Sequence, residues 1–229
     1  MNQQTADARE VPVHPRGGYF VFDVETTGLG DRCQIVEFAG VLLNAEGDLV
    51  GSYETLVKPG SGPGPTRVHG ISAAMLNGAP TFAEVAGDIE RLFRDRVPVA
   101  HNLRFDWGVL RRSYASLGVD LPAAPGGICT ARWSRRLFPG PCALVAVCCR
   151  LGVDYAHPHR AGSDAVAAAA VFREIRRIEP QLAVGRPCPP FAGAWHLPRS
   201  VPGVSRRMVG DCGESGRRIM AVAGGRDGD

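Results

Sequence analysis

The chain opens its first ordered pattern at Gly18, where an apolar run, YFVFDVET, carries two acids inside it. Read as a strand, side chains alternate, so Phe20, Phe22 and Val24 face one side while Tyr19, Val21, Asp23 and Glu25 face the other. Two further apolar runs follow, QIVEFAGVLLN (34–44) and LVGSYETLVKP (49–59), joined through a turn at Glu46-Gly47-Asp48. They predict three consecutive antiparallel strands. After a GSGPGP loop (60–65), TFAEVAGDIERLFRD places Thr81 as an N-cap with Glu84 three residues on, and Val85, Ile89, Leu92 and Phe93 at helical spacing. VPVAHN (97–102) reads as a short strand, FDWGVLRRSYASLG as a helix closed by Gly118, and GGICT as a fifth strand. Helices are predicted over about 130–138 and 142–151, and SDAVAAAAVFREIRRI forms a long alanine-rich last helix. Three strands in a row, then strands alternating with helices, indicate an α/β domain with a mixed sheet.

The paired acids need an explanation. Two carboxylates projecting side by side from an apolar strand repel each other and are costly to bury unless something positive lies between them. A half-exposed edge strand with solvated acids is the plainer reading of this stretch alone. Two more acids stand in unusual places. Asp106 opens a helix in HNLRFDWGVL and Asp164 lies near the start of the last helix in HPHRAGSDA, positions that helix-dipole stabilisation also favours.

Composition narrows the class. With 229 residues, 45% hydrophobic and 21% charged, the chain is of globular type, sized for one ample core with extensions. No apolar run approaches the roughly 18 residues of a membrane helix, and residues 1–16 show a polar leader without a basic start and apolar segment. A cytoplasmic location with no membrane partner is expected. The seven cysteines include no C-x-x-C pair and read as reduced thiols. A zinc site from Cys142, Cys148, His157 and His159 matches no common ligand spacing. The net charge of +3 comes from residues 181–229, which hold seven arginines against four acids, with five prolines and nine glycines. That tail is expected to be disordered or loosely docked.

The set FDVETTGL, HNLRFDWGVL and HRAGSDA, in this order, resembles the DEDD exonucleases, in the branch with a histidine in the third motif, which includes the proofreading subunit of bacterial DNA polymerase III. TRVHGIS and ICTARWSRRLFPG are similar to that family's connecting segments. The resemblance covers about residues 17–178 and assigns residues 17–180 to an exonuclease domain. It implies a ribonuclease H-like fold, a five-stranded mixed sheet flanked by helices. It also implies a 3′–5′ exonuclease that hydrolyses phosphodiester bonds at single-stranded DNA ends, or at RNA ends, in proofreading or repair, with a polymerase as a partner.

By this resemblance Asp23, Glu25, Asp106 and Asp164 hold two divalent cations, Mg²⁺ or Mn²⁺. Hard cations prefer oxygen donors, and a pair of them suits an in-line displacement at phosphorus. The charge between Asp23 and Glu25 is then a metal. His159 is the implied general base, with His157 as a rival that lacks the family spacing to Asp164. Five residues along a helix turn through about 140° beyond whole turns, so His159 and Asp164 cannot share a helical face. His159 is therefore placed on the incoming loop, with Ser163 as a candidate N-cap. Thr26, Thr27, Gly28 and Leu29 are implied to line the terminal-nucleotide pocket, Gly28 by close approach or an unusual backbone angle and Leu29 as a wedge against a base. Asn102 is a candidate hydrogen-bonding partner across the site, and His69 and His101 are candidate substrate contacts. AGS between Arg160 and Asp164 departs from the bulkier apolar filler of the family and puts the placement of His159 in question.

Overall fold

The structure is a computed structural model that describes residues 17–123, 126–183, 185–194 and, as backbone, 205–208. The leader and most of the tail lie outside the described residues.

Strands β1 (Tyr19–Thr26), β2 (Ile35–Leu43) and β3 (Leu49–Leu56) form the antiparallel start that the alternation predicts. Helix α1 (Thr66–His69) is a single turn, and α2 (Phe82–Phe93) begins where Glu84 accepts hydrogen bonds from the amide and hydroxyl of Thr81 at 2.7 and 2.8 Å. Strand β4 (Val97–Ala100) then runs parallel to β1 and leads into α3 (Leu103–Ala115). Strand β5 keeps only Ile128 and Cys129 of the GGICT segment. It is followed by α4 (Thr130–Leu137), α5 (Leu144–Leu151) and α6 (Ala161–Ile178).

The five expected strands form a mixed sheet in the order β5-β4-β1-β2-β3. A sixth, β6 (Ser205–Met208), pairs antiparallel with the edge strand β3 and comes from the region read as a tail. Around the sheet the two faces of β1 separate as expected. Phe20, Phe22 and Val24 pack with Val85, Ile89 and Phe93 of α2 and with Trp107 and Leu110 of α3. Tyr19 and Val21 pack with Ala168, Ala169 and Phe172 of α6, so the small side chains let that helix lie close on the sheet. Gly40 of β2 has a similar cause, because a Cβ there would lie 2.5 Å from the Phe20 ring.

The tail expectation is corrected over residues 185–194. Cys188 and Phe191 are buried, and Phe191 packs against the rings of Phe93, Trp107 and Tyr114 at 5.0–6.0 Å between centroids. Bridges from Cys188 to Arg94 and from Ala192 to Asp120 tie the segment to the body. A segment with little periodicity still docks because one aromatic side chain fills a gap between α2 and α3. The core thus continues past residue 180.

Candidate active site

The acids meet where β1 ends. Asp23 and Glu25 leave β1 on the α6 side, and the first turn of α6 supplies Asp164. The neighbouring parallel strand β4 delivers α3, whose first turn carries Asp106, 3% exposed. Ligand atoms of Glu25, Asp164 and His159 lie within 4.8 Å of one another. His159 is exposed on the loop before α6, as helical geometry requires, with φ at 64°. The helix starts earlier than expected: Arg160 is its N-cap, and Ser163 lies within the helix.

Electrostatics join Asp23 and Asp106 to this group. Burial raises Asp23 well above the usual carboxylate range, and the charges of Asp106, Asp164, Glu25 and Glu37 push it the same way. Burial pushes Glu25 up to about 7, with Asp164 and Glu37 adding to the shift and Arg160 opposing it. Asp106 rises to about 8 by burial, held back by its own amide and that of Val24 and reinforced by Glu25 and Asp164. Asp164 is also raised by burial, against a hydrogen bond from the Tyr155 hydroxyl at 2.7 Å and one from the His159 amide at 3.1 Å.

Such a set holds more negative charge than its own surroundings offset. Arg160, whose charge reaches Glu25, is committed to Glu37. Clustered carboxylate oxygens with one imidazole suit hard divalent cations, so the residues fit the metal that the sequence implies. Among the described residues His159 groups with Glu25 and Asp164, not with Cys142 or Cys148.

The loop after β1 is built by its own hydrogen bonds. The Thr26 hydroxyl donates to the Gly28 carbonyl at 2.6 Å, and Thr27 exchanges two bonds with Gln34, donating its amide to the carbonyl at 2.9 Å and accepting the Gln34 amide at its hydroxyl at 3.0 Å. The GSGPGP loop presses on this turn, and a Cβ on Gly64 would lie 2.4 Å from the Thr27 backbone. Gly28 needs no positive φ, contrary to one reading of it, and the space beside it is open. Leu29 is 88% exposed. Asn102 caps α3 with its carbonyl, which accepts the amides of Phe105 and Asp106, and its side chain makes no capping bond.

The two remaining histidines are buried. His101 is buried and its ring nitrogens are occupied, Nδ1 by the Thr130 hydroxyl at 2.9 Å and Nε2 by the Cys142 carbonyl at 2.7 Å. It joins β4 to the loop before α5. His69 is 2% exposed, its Nδ1 accepts the Ile71 amide at 3.0 Å, and burial lowers its pKa. Sequence reading missed two groups, Tyr155 and Glu37. Glu37 had a signal, since an acid in the middle of the apolar run IVEFAG poses the same problem as Asp23.

The sequence profile of the RNase_T exonucleases matches residues 20–172, a span that contains every one of these groups. The chain belongs to the RNase_T exonuclease family. An exonuclease-family hydrolase acting on nucleic acid therefore accounts for the acids. Among curated exonuclease relatives, the PolC-type DNA polymerase III of Staphylococcus haemolyticus (strain JCSC1435) is 32% identical over 171 residues, 72% of this chain and 12% of that protein. The chain thus spans about an eighth of the length of that polymerase. Exonuclease X, solved in complex with 5′ overhanging duplex DNA, is 28% identical with a TM-score of 0.58, covering 72% of this chain and 97% of that one. Escherichia coli Exonuclease I, solved with a dT13 oligonucleotide, shares the fold at 20% identity with a TM-score of 0.63, covering 72% of this chain and 42% of that one. Among the described residues, no helix is long and apolar enough to cross a membrane.

Proposed function

We propose that this RNase_T exonuclease is a metal-dependent 3′–5′ exonuclease that shortens single-stranded DNA ends and releases nucleoside 5′-monophosphates in proofreading or repair. The observation that carries the reading is the meeting of Glu25, Asp164 and His159 within 4.8 Å, with Asp23 and Asp106 coupled to them by charge. Asp23, Glu25, Asp106 and Asp164 would hold two divalent ions, Mg²⁺ or Mn²⁺, which would supply positive charge to the phosphate and its attacking and leaving oxygens.

The residues of the chain do the rest. Water attacks the terminal phosphodiester, the bond from phosphorus to the 3′ oxygen of the penultimate nucleotide breaks, and His159 takes the proton that the water loses. The leaving 3′ oxygen takes a proton from solvent, so the shortened strand ends in a 3′ hydroxyl and the released nucleotide carries the new P–O bond in its 5′-phosphate. His159 suits the task because it is exposed beside the acids, where neither Glu25 nor Asp164 blocks solvent from its ring. The open space beside Gly28 admits the terminal nucleotide, and the exposed Leu29 packs against its base. Asn102, exposed at the head of α3, hydrogen-bonds to the strand. Exonuclease X on overhanging DNA supports DNA as substrate, and the PolC-type relative supports work beside a polymerase.

The test is stepwise degradation of a 5′-labelled single-stranded DNA and the RNA of the same sequence, with Mg²⁺, Mn²⁺ or EDTA. A ladder of shortened, still labelled DNA that requires metal and vanishes in Asp23→Ala is expected. Release of the label as a mononucleotide would reverse the direction, faster loss of RNA would change the substrate, and an active Asp23→Ala would end the reading.

A further inference from the structure

Glu37 is an acid beside the site that already has its cation. Register places it on β2 directly across from Glu25, so both carboxylates project from the same side of the sheet. It is 0% exposed, and a carboxylate so placed is strongly destabilising unless it is paired. Its oxygens are fully used. Arg160 donates from Nε to Oε1 and Oε2 at 3.2 and 3.1 Å and from an η nitrogen to Oε1 at 2.6 Å, and the Ala161 amide donates to Oε2 at 2.9 Å. A fork of this kind fixes direction as well as distance.

These two donors flank the point where the loop becomes α6. Arg160 is the N-cap and Ala161 the first helical residue, so Glu37 satisfies one of the helix's otherwise unpaired amides and holds the cap side chain at once. His159 immediately precedes them with φ at 64°, a conformation a residue with a side chain adopts only when its surroundings impose it. The His159 amide is in turn tied to Asp164, closing the turn from the other side. Glu54 on β3 adds a second acid 3.7 Å from Arg160 and lies over Gly162, where a Cβ would come within 2.8 Å of its carboxylate. A side chain at Gly162 would displace the Glu54 carboxylate from this place.

We propose that Glu37 and Arg160 form a clamp that positions the His159 turn over the catalytic carboxylates, Glu37 being a positioning residue and not a metal ligand. The inference rests on the reading of His159 as the base. Nothing else among the described contacts crosses from the sheet to this turn with comparable geometry: four hydrogen bonds converge on one buried carboxylate. Aligned in this way, His159 reaches the attacking water in each turnover; released, it samples orientations in which it accepts no proton. The substrate contacts at Thr26–Leu29 lie on the other loop and are untouched.

The test combines Glu37→Gln, which keeps the shape and removes the charge, with Arg160→Lys, which keeps the charge and removes the fork. Each is expected to lower kcat about 10–100-fold, the usual cost of losing a supporting partner, with KM within about twofold. A double-mutant cycle with His159→Ala gives the readout that a general loss of stability would not move. If the clamp works through His159, Glu37→Gln costs nothing further once His159 is gone; full additivity overturns the proposal. Hydrogen exchange, followed without substrate, provides an arm independent of activity. Amides of residues 159–162 are expected to exchange faster in Arg160→Lys while those of β1 and α3 do not change. Unchanged exchange overturns the clamp even if the wild type proves inactive, and an inactive wild type with faster exchange in the variant keeps the clamp and rejects the nuclease reading alone.

Discussion

At the scale of single residues, the candidate site sets stability against chemistry. Asp23 is surrounded by four other acids, each of which raises the cost of its charge. In metal-free protein, Asp23→Asn removes that repulsion while keeping the shape, so its melting temperature is expected to rise by a few degrees, since about 1 kcal/mol moves a chain of this size by roughly 2–4 °C. The same variant is expected to cleave no DNA. A melting temperature equal to or below the wild type in EDTA would show that the acids are not in conflict when empty. The sequence made these acids visible because charges inside apolar runs have few explanations. It singled out His159 by its spacing to Asp164 but did not place His101 and His69, for whether a ring nitrogen meets Thr130, Cys142 or solvent depends on chain segments far apart in sequence.

At the scale of elements, alternation and capping decide most of the architecture. The two faces of β1 separate as period two requires, and the Thr81–Glu84 pair marks the start of α2. The start of α6 was legible less well. Ser163 has the right chemistry for a cap, but the helix starts three residues earlier, where Glu37 captures Arg160 and Ala161. A long-range ion pair outweighed a local preference. The segment 185–194 was missed for the same reason, since nothing in its periodicity announces that Phe191 completes a cluster with Phe93, Trp107 and Tyr114. Phe191→Ala is expected to cost roughly 3 kcal/mol, the low end for emptying a buried aromatic site. That corresponds to a fall in melting temperature of about 6–12 °C, with the specific activity of the folded fraction preserved. A fall of under about 2 °C would mean that the segment only rests on the surface.

At the scale of the whole molecule, the proposed metal and protons would compete for the same carboxylates. A carboxyl whose pKa is higher in the folded than in the unfolded chain holds its proton better when folded, so stability falls as pH rises through the interval between the two values. For Glu25 that interval runs from 4.5 to about 7, and for Asp106 from 3.8 to about 8. Metal-free protein is therefore expected to melt lower at pH 8 than at pH 5. Mg²⁺ or Mn²⁺ reverses the trend, and its stabilisation is larger at pH 8, where fewer protons must leave. At a hundred times its dissociation constant an ion adds about 2.7 kcal/mol, or roughly 5–10 °C. Melting curves in EDTA and in each ion across this range measure it directly, and curves that ignore the ion at every pH would remove metal from the site.

The docking of Phe191 separates two boundaries that are easily taken as one. Similarity to the family ends at residue 172, but the hydrophobic interior is not closed until residue 191. Catalytic ancestry and mechanical wholeness are thus written over different lengths of the same chain. A fragment cut where the likeness stops would carry every acid of the site and still present a bare aromatic hollow to water, which other copies or a protease would find before any nucleic-acid end did.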